Sequence, residues 1–144
     1  MQNYFQNSNN YFENMLGETA NIRCNGCPYF QIFIVFDKMP YYNNGKKITR
    51  WEGFTDHNIA KYVMLSRDNA EVFFHTPNKT LIYVVHLPDT SSDVRNSDGY
   101  LDYYRSHPCT LTVSEHDYGA FDNAVILNDY EMFADKVYHT IKSL

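Results

Sequence analysis

The chain has 144 residues, 44% apolar and 20% charged, a balance that builds a hydrophobic core and excludes a disordered linker or tail. A formal net charge of −5 excludes a phosphate-binding surface spread over the whole protein, which would need a basic excess. Aromatic residues make up 17%, with 13 Tyr, more than a core of this size absorbs, so part of the tyrosine is expected at the surface.

One domain over residues 1–144 is the expectation from length. No apolar run reaches the ~18 residues that a membrane helix needs. The start, MQNYFQNSNN, lacks the basic flank and apolar segment of a signal peptide, so the expected location is cytoplasmic, with no membrane contact. Three cysteines, Cys24, Cys27 and Cys109, are too few for a secreted disulfide framework and agree with a reducing compartment.

The spacing of Tyr4, Phe5, Tyr11, Phe12, Met15 and Leu16 predicts a helix over Gln2 to Leu16 that stops at Gly17. An aromatic helix at a terminus packs on the sheet or on another subunit, so it is also the expected site of any homo-oligomer. PYFQIFIVFD, from Pro28 to Asp37, reads as a strand, and KKITRWEGF as its hairpin partner across a turn at Asn44-Gly45. Ile59, Tyr62, Val63 and Ser66 follow helical spacing behind an N-cap at Thr55 or Asp56.

AEVFFH and TLIYVVHL flank the turn TPNK and predict a second hairpin from Glu71 to Leu87, whose later, nearly all-apolar strand is central. The polar stretch from Leu87 to Pro108 reads as a long functional loop. CTLTVSEH and AVILN read as further short strands. Tyr130, Phe133, Ala134, Val137, Tyr138, Ile141 and Leu144 mark one face of a C-terminal helix with Asn128 as its N-cap. Together these imply an α+β fold: a mainly antiparallel sheet of about five to six strands carrying an N-terminal, a middle and a C-terminal helix.

Several residue groups bear on chemistry. Cys24 and Cys27 have the spacing of a zinc knuckle, which His107 and Cys109 would complete. The same CxxC fits a redox pair poorly, because the residues after Cys27 continue as a strand rather than a helix. His75, His86 and His116, with nearby carboxylates, are the residues a hydrolase or nuclease-like enzyme would use, provided they converge in one pocket. In Glu115-His116-Asp117 a strand would turn Glu115 and His116 to opposite faces. A calcium loop over residues 94–105 is excluded, since Val94 and Arg105 occupy positions that require carboxylates.

Lys46, Lys47 and Arg50, interleaved with aromatics that include Trp51, would make a hairpin that stacks the bases of a single-stranded nucleic acid. Tyr41 and Tyr42 in the turn, with Asp98, Tyr100, Asp102, Tyr103, Tyr104 and Arg105 in the long loop, have the composition of a protein interface. The leading expectation is therefore a small interaction module, of inhibitor, immunity, adaptor or viral accessory type. Its acidic Tyr-rich loop would meet a protein partner with a basic face, without a cofactor. A histidine-based hydrolase and a single-stranded nucleic-acid binder are the alternatives.

Overall fold

The computed structural model describes residues 4–65, 76–118 and 125–144, and of these the side chains of all but 4–12 and 64–65. In chain order the elements are α1 (Tyr4–Cys24), β1 (Phe30–Phe36), β2 (Lys38–Tyr42), β3 (Ile48–Gly53), α2 (Asp56–Leu65), β4 (Lys79–His86), α3 (Ser97–Ser106), β5 (Thr112–Val113), β6 (Val125–Leu127) and α4 (Tyr130–Lys142). No helix among the described residues is long and apolar enough to cross a membrane.

α1 does not stop at Gly17. That glycine lies on the exposed side, and its ~1 kcal/mol penalty within a helix is outweighed by the burial of Met15 and Thr19 beside it. The helix ends instead at Cys24, where the Gly26 N–H donates to the Arg23 carbonyl and Gly26, at φ +75°, turns the chain away through the left-handed region. Its C-terminal half docks on its own chain. Gln31 Nε2 donates to Thr19 Oγ1 at 3.1 Å, and Arg23 donates to the carbonyl of Thr76.

The main sheet is mostly parallel, which corrects the antiparallel expectation. Central β4 pairs in parallel with β1 on one side, from Phe30↔Lys79 to Phe36↔Val85, and with β6 on the other. Among the described residues only the two-residue β5 runs antiparallel in this sheet, against Val85 and His86. The physical reason is that central β4 is apolar at successive positions from Leu81 to Val85, so both of its faces need cover, and parallel sheets are built that way. The expected hairpin partner of β1 is also corrected. The chain breaks at Asp37, and β2 rather than β1 pairs antiparallel with β3 as a separate ribbon, closed by a turn at Asn43 to Lys46. The proposed strand at residues 71–75 lies outside the described residues.

One face of the sheet buries Val35, Ile82, Val84 and Val125 against Phe54, Ile59 of α2 and Tyr118. The opposite face buries Leu81 and Ile126 under Phe133 of α4. Of the apolar stripe read along α4, Phe133 is 5% exposed and Val137 packs beside it, whereas Tyr130, Ala134, Tyr138, Ile141 and Leu144 are exposed. The N-cap is Asp129, whose side chain accepts from the Met132 N–H at 2.9 Å. Asn128 instead ends β6 in the left-handed region, φ 54°, with Oδ1 accepting from Val84 N–H.

The stretch expected as an open loop contains α3, a ten-residue helix capped by Asn96, which accepts from Gly99 N–H at 2.7 Å. α3 is anchored to the ribbon. Ser97 N–H donates to the Lys46 carbonyl, and Ile48 N–H to the Arg95 carbonyl.

Candidate functional site

A cleft of about 610 Å³ opens at the carboxyl end of β1, lined by Asp37, Lys38, Trp51, Phe54, Thr55, Asp56, His57, Ser114, His116 and Tyr118. The carboxyl ends of parallel strands are where open α/β sheets hold ligands, because connections diverge there and leave a crevice. Its volume falls within the range of small-molecule sites.

Each wall has a local cause. Asp37 is the first residue after β1 and keeps the sheet's alternation, so it shares a face with Val35; its backbone is fixed by donating to the Val85 carbonyl and accepting from Phe54 N–H. His86 ends the adjacent strand, and its Nδ1 donates to Asp37 Oδ2 at 2.7 Å. Asp37 Oδ1 is buried and has no hydrogen-bond partner among the described residues.

Asp56 and His57 occupy the first turn of α2. That turn is fixed by Asn58, whose Oδ1 accepts from both the N–H (2.9 Å) and the hydroxyl (2.8 Å) of Thr55, in the manner of a capping box. The opposite wall comes from residues 114–118, which are not a strand, so the expected separation of Glu115 and His116 by strand alternation does not apply there. His116 packs its ring edge-on against Tyr118 at 4.6 Å. Burial pushes the Tyr118 phenol above its ordinary range, and the carboxylates of Asp37 and Asp56 push it in the same direction, against a lowering bond to Ser114. Trp51, 39% exposed, forms an aromatic side of the cleft, with the Lys38 ammonium 5.2 Å from its ring and 2.6 Å from Asp89.

Of the histidines singled out in the sequence, His116 lines the cleft, His86 joins it through Asp37, and His75 lies outside the described residues. His57, Asp37, Asp56 and Tyr118 were missed. The available signal was Asp37, an acidic residue closing an apolar strand.

The tyrosine group gathers elsewhere, where α3 meets the ribbon. Tyr100 packs against Trp51 (6.0 Å) and Tyr104 (5.1 Å), and Tyr104 donates to the Pro88 carbonyl. Burial, with Tyr100 alongside, raises the Tyr42 phenol to about 12, and burial next to Tyr104 raises Tyr100 as well. Tyr42, Tyr100 and Tyr104 thus hold α3 in place, while Asp98, Asp102 and Arg105 are exposed and Tyr103 stacks on His107 at 4.4 Å. Asp102 and Arg105 pair with each other at 3.2 Å.

The basic aromatic strip is divided. Arg50 lies over Tyr41 at 4.1 Å and bonds Glu52, whereas the next residue, Trp51, contacts Lys38 and Tyr100. Neighbouring strand residues face opposite sides, so Arg50 and Trp51 do not share a stacking surface; Lys46 and Lys47 are exposed in and beside the turn. Among the described residues no three His, Cys, Asp or Glu side chains gather so as to hold a metal. Cys24 and Cys27 flank the end of α1, Cys109 lies beyond α3, and all three are exposed free thiols.

Comparison with known proteins finds no matching family model, no matching curated protein and no matching solved structure.

Proposed function

We propose that the cleft is a catalytic site for hydrolysis by general acid–base chemistry. The observation that carries this reading is the Asp37–His86 pair at the margin of a cleft shared with His57 and His116. With Nδ1 turned to the Asp37 carboxylate, His86 keeps Nε2 to take up a proton. That nitrogen takes a proton from water as the water oxygen bonds to the acyl carbon or phosphorus of an ester, and the same proton passes from His86 to the departing alkoxide as its bond to that atom breaks, with His57 and His116 lining the cleft to bind the substrate. Trp51 gives an apolar group on the substrate a flat surface.

The test is turnover of a panel of p-nitrophenyl acetate, p-nitrophenyl phosphate and bis(p-nitrophenyl) phosphate by the wild type and His86→Ala. Cleavage of one ester class that falls about a hundredfold or more in the variant supports the reading. Absence of turnover across the panel, or equal rates, rejects it.

A second reading, a protein-interaction surface, is favoured by α3, none of whose residues is buried and whose exposed Asp98 and Asp102 suit a basic partner. Affinity capture with wild type and Asp98→Lys/Asp102→Lys tests it. One stoichiometric partner lost from the variant supports it, and identical eluates reject it.

A further inference from the structure

We propose that a second copy of this chain docks on α4, in an antiparallel, two-fold arrangement. This inference is independent of the cleft. It starts from an apolar flank that the sheet does not use: Tyr130, Tyr138 and Ile141 are 56%, 52% and 54% exposed, with exposed Ala134 between them. At 100° per residue these four positions fall within one narrow stripe, adjacent to but distinct from the direction of Phe133 and Val137, which bury against the sheet.

Charge identifies the occupant. Along the border of that stripe α4 carries Glu131 in its first turn and Lys142 in its last, with Asp135 near the midpoint between them. A helix with acid at its start and base at its end is complementary to itself only when the second helix runs the opposite way. Antiparallel pairing centred between Ala134 and Tyr138 sets the small Ala134 against Tyr138 of the second copy, lets the helices approach, and brings Glu131 beside Lys142 of the second copy. The two-fold axis makes each of these contacts twice, as an isologous interface requires. Each Lys142 ammonium, 5.0 Å from its own Tyr138 ring, already covers one edge of the stripe.

The test is sedimentation of the full chain over a dilution series. The expected result is a monomer–dimer equilibrium for the wild type and a monomer at every concentration for Ile141→Asp, with an unchanged far-ultraviolet circular dichroism spectrum because Ile141 is exposed. Lys142→Glu and Glu131→Lys are each expected to weaken the dimer on the order of tenfold, since symmetry breaks two pairs at once, and combining them restores it. A wild type that stays monomeric, a dimer that survives Ile141→Asp, or a charge swap that fails to restore association overturns the proposal.

Discussion

His86 and Asp37 are 49 positions apart in the chain and 2.7 Å apart in space, because the parallel register that pairs Phe36 with Val85 sets the next residue of each strand side by side. Both side chains follow the same alternation and leave the sheet on one face. Asp37→Asn keeps the backbone bonds of that position to Val85 and Phe54, so the melting temperature should change little. An amide no longer fixes the proton on Nδ1, so the proposed hydrolysis is expected to fall by roughly a hundredfold or more in kcat. A variant with unchanged kcat would show that His86 works without Asp37.

Phe133 is the anchor of the second core cluster, edge-on to Phe30 at 6.4 Å and packed on Leu81 and Ile126. Phe133→Ala should cost about 3–5 kcal/mol in urea unfolding, from lost burial and the cavity left behind. Lys136→Ala, on the exposed side, should be nearly silent. A loss below about 1 kcal/mol for Phe133→Ala would mean that α4 contributes little to the core.

The phenols that seat α3 predict an alkaline limit. A free tyrosine ionises near 10.0, and burial next to Tyr100 raises Tyr42 to about 12 in the folded chain. The folded state therefore keeps a proton that the unfolded state releases. The corresponding stability is complete below about pH 10 and is lost as pH rises through about 12. Phenolate absorbance should show late-ionising groups, and Tyr100→Phe should bring Tyr42 back toward its ordinary range. Simultaneous, unshifted ionisation of every tyrosine would contradict the described packing.

Thr19 Oγ1 donates to the Met15 carbonyl and accepts from Gln31 Nε2, both side chains being buried, while Gln31 Oε1 has no partner among the described residues. Thr19→Val strands the Gln31 amide and should cost about 1–3 kcal/mol. Adding Gln31→Met removes the stranded group, so the double variant is expected to recover most of that loss in a double-mutant cycle. Additive losses would contradict it.

Asn58 is the fifth test, because one oxygen serves two donors of Thr55 at the start of α2. Asn58→Ala should destabilise by about 1–2 kcal/mol, and Asn58→Asp, which retains the acceptor, should recover most of it. Equal melting temperatures for Asn58→Ala and the wild type would refute the capping role.

Legibility in the sequence followed the strength of local pattern. Phe133 and Val137 were readable as core because a 3.6-residue period is a property of the helix itself, and β4 as central because its apolar run leaves no polar face. The direction of pairing was not readable, since alternation says which residues are buried and not which strand lies alongside. The same apolar run did carry a hint, for a strand buried on both faces belongs to a parallel sheet more often than to a hairpin. α3 escaped because Asp98, Gly99 and Asp102 are weak helix formers, and its support comes from Trp51 and the ribbon backbone, distant in sequence. The cleft was half visible: His86 and His116 stood out by type, but Asp37 and His57 acquire meaning only from the pairing of β1 with β4.

That pairing also has a kinetic consequence. Tyr29 and Asn78, which bond to each other at its first rung, are separated by 49 positions, so the ribbon and α2 must be looped out before any rung can form. Closing so long a segment carries an entropy cost that helices and the β2–β3 ribbon, made from near neighbours, do not face. Those local elements form on the microsecond scale, and the central sheet follows later. Asp37 meets His86 only when that loop has closed, which makes the cleft among the last features of the molecule to assemble.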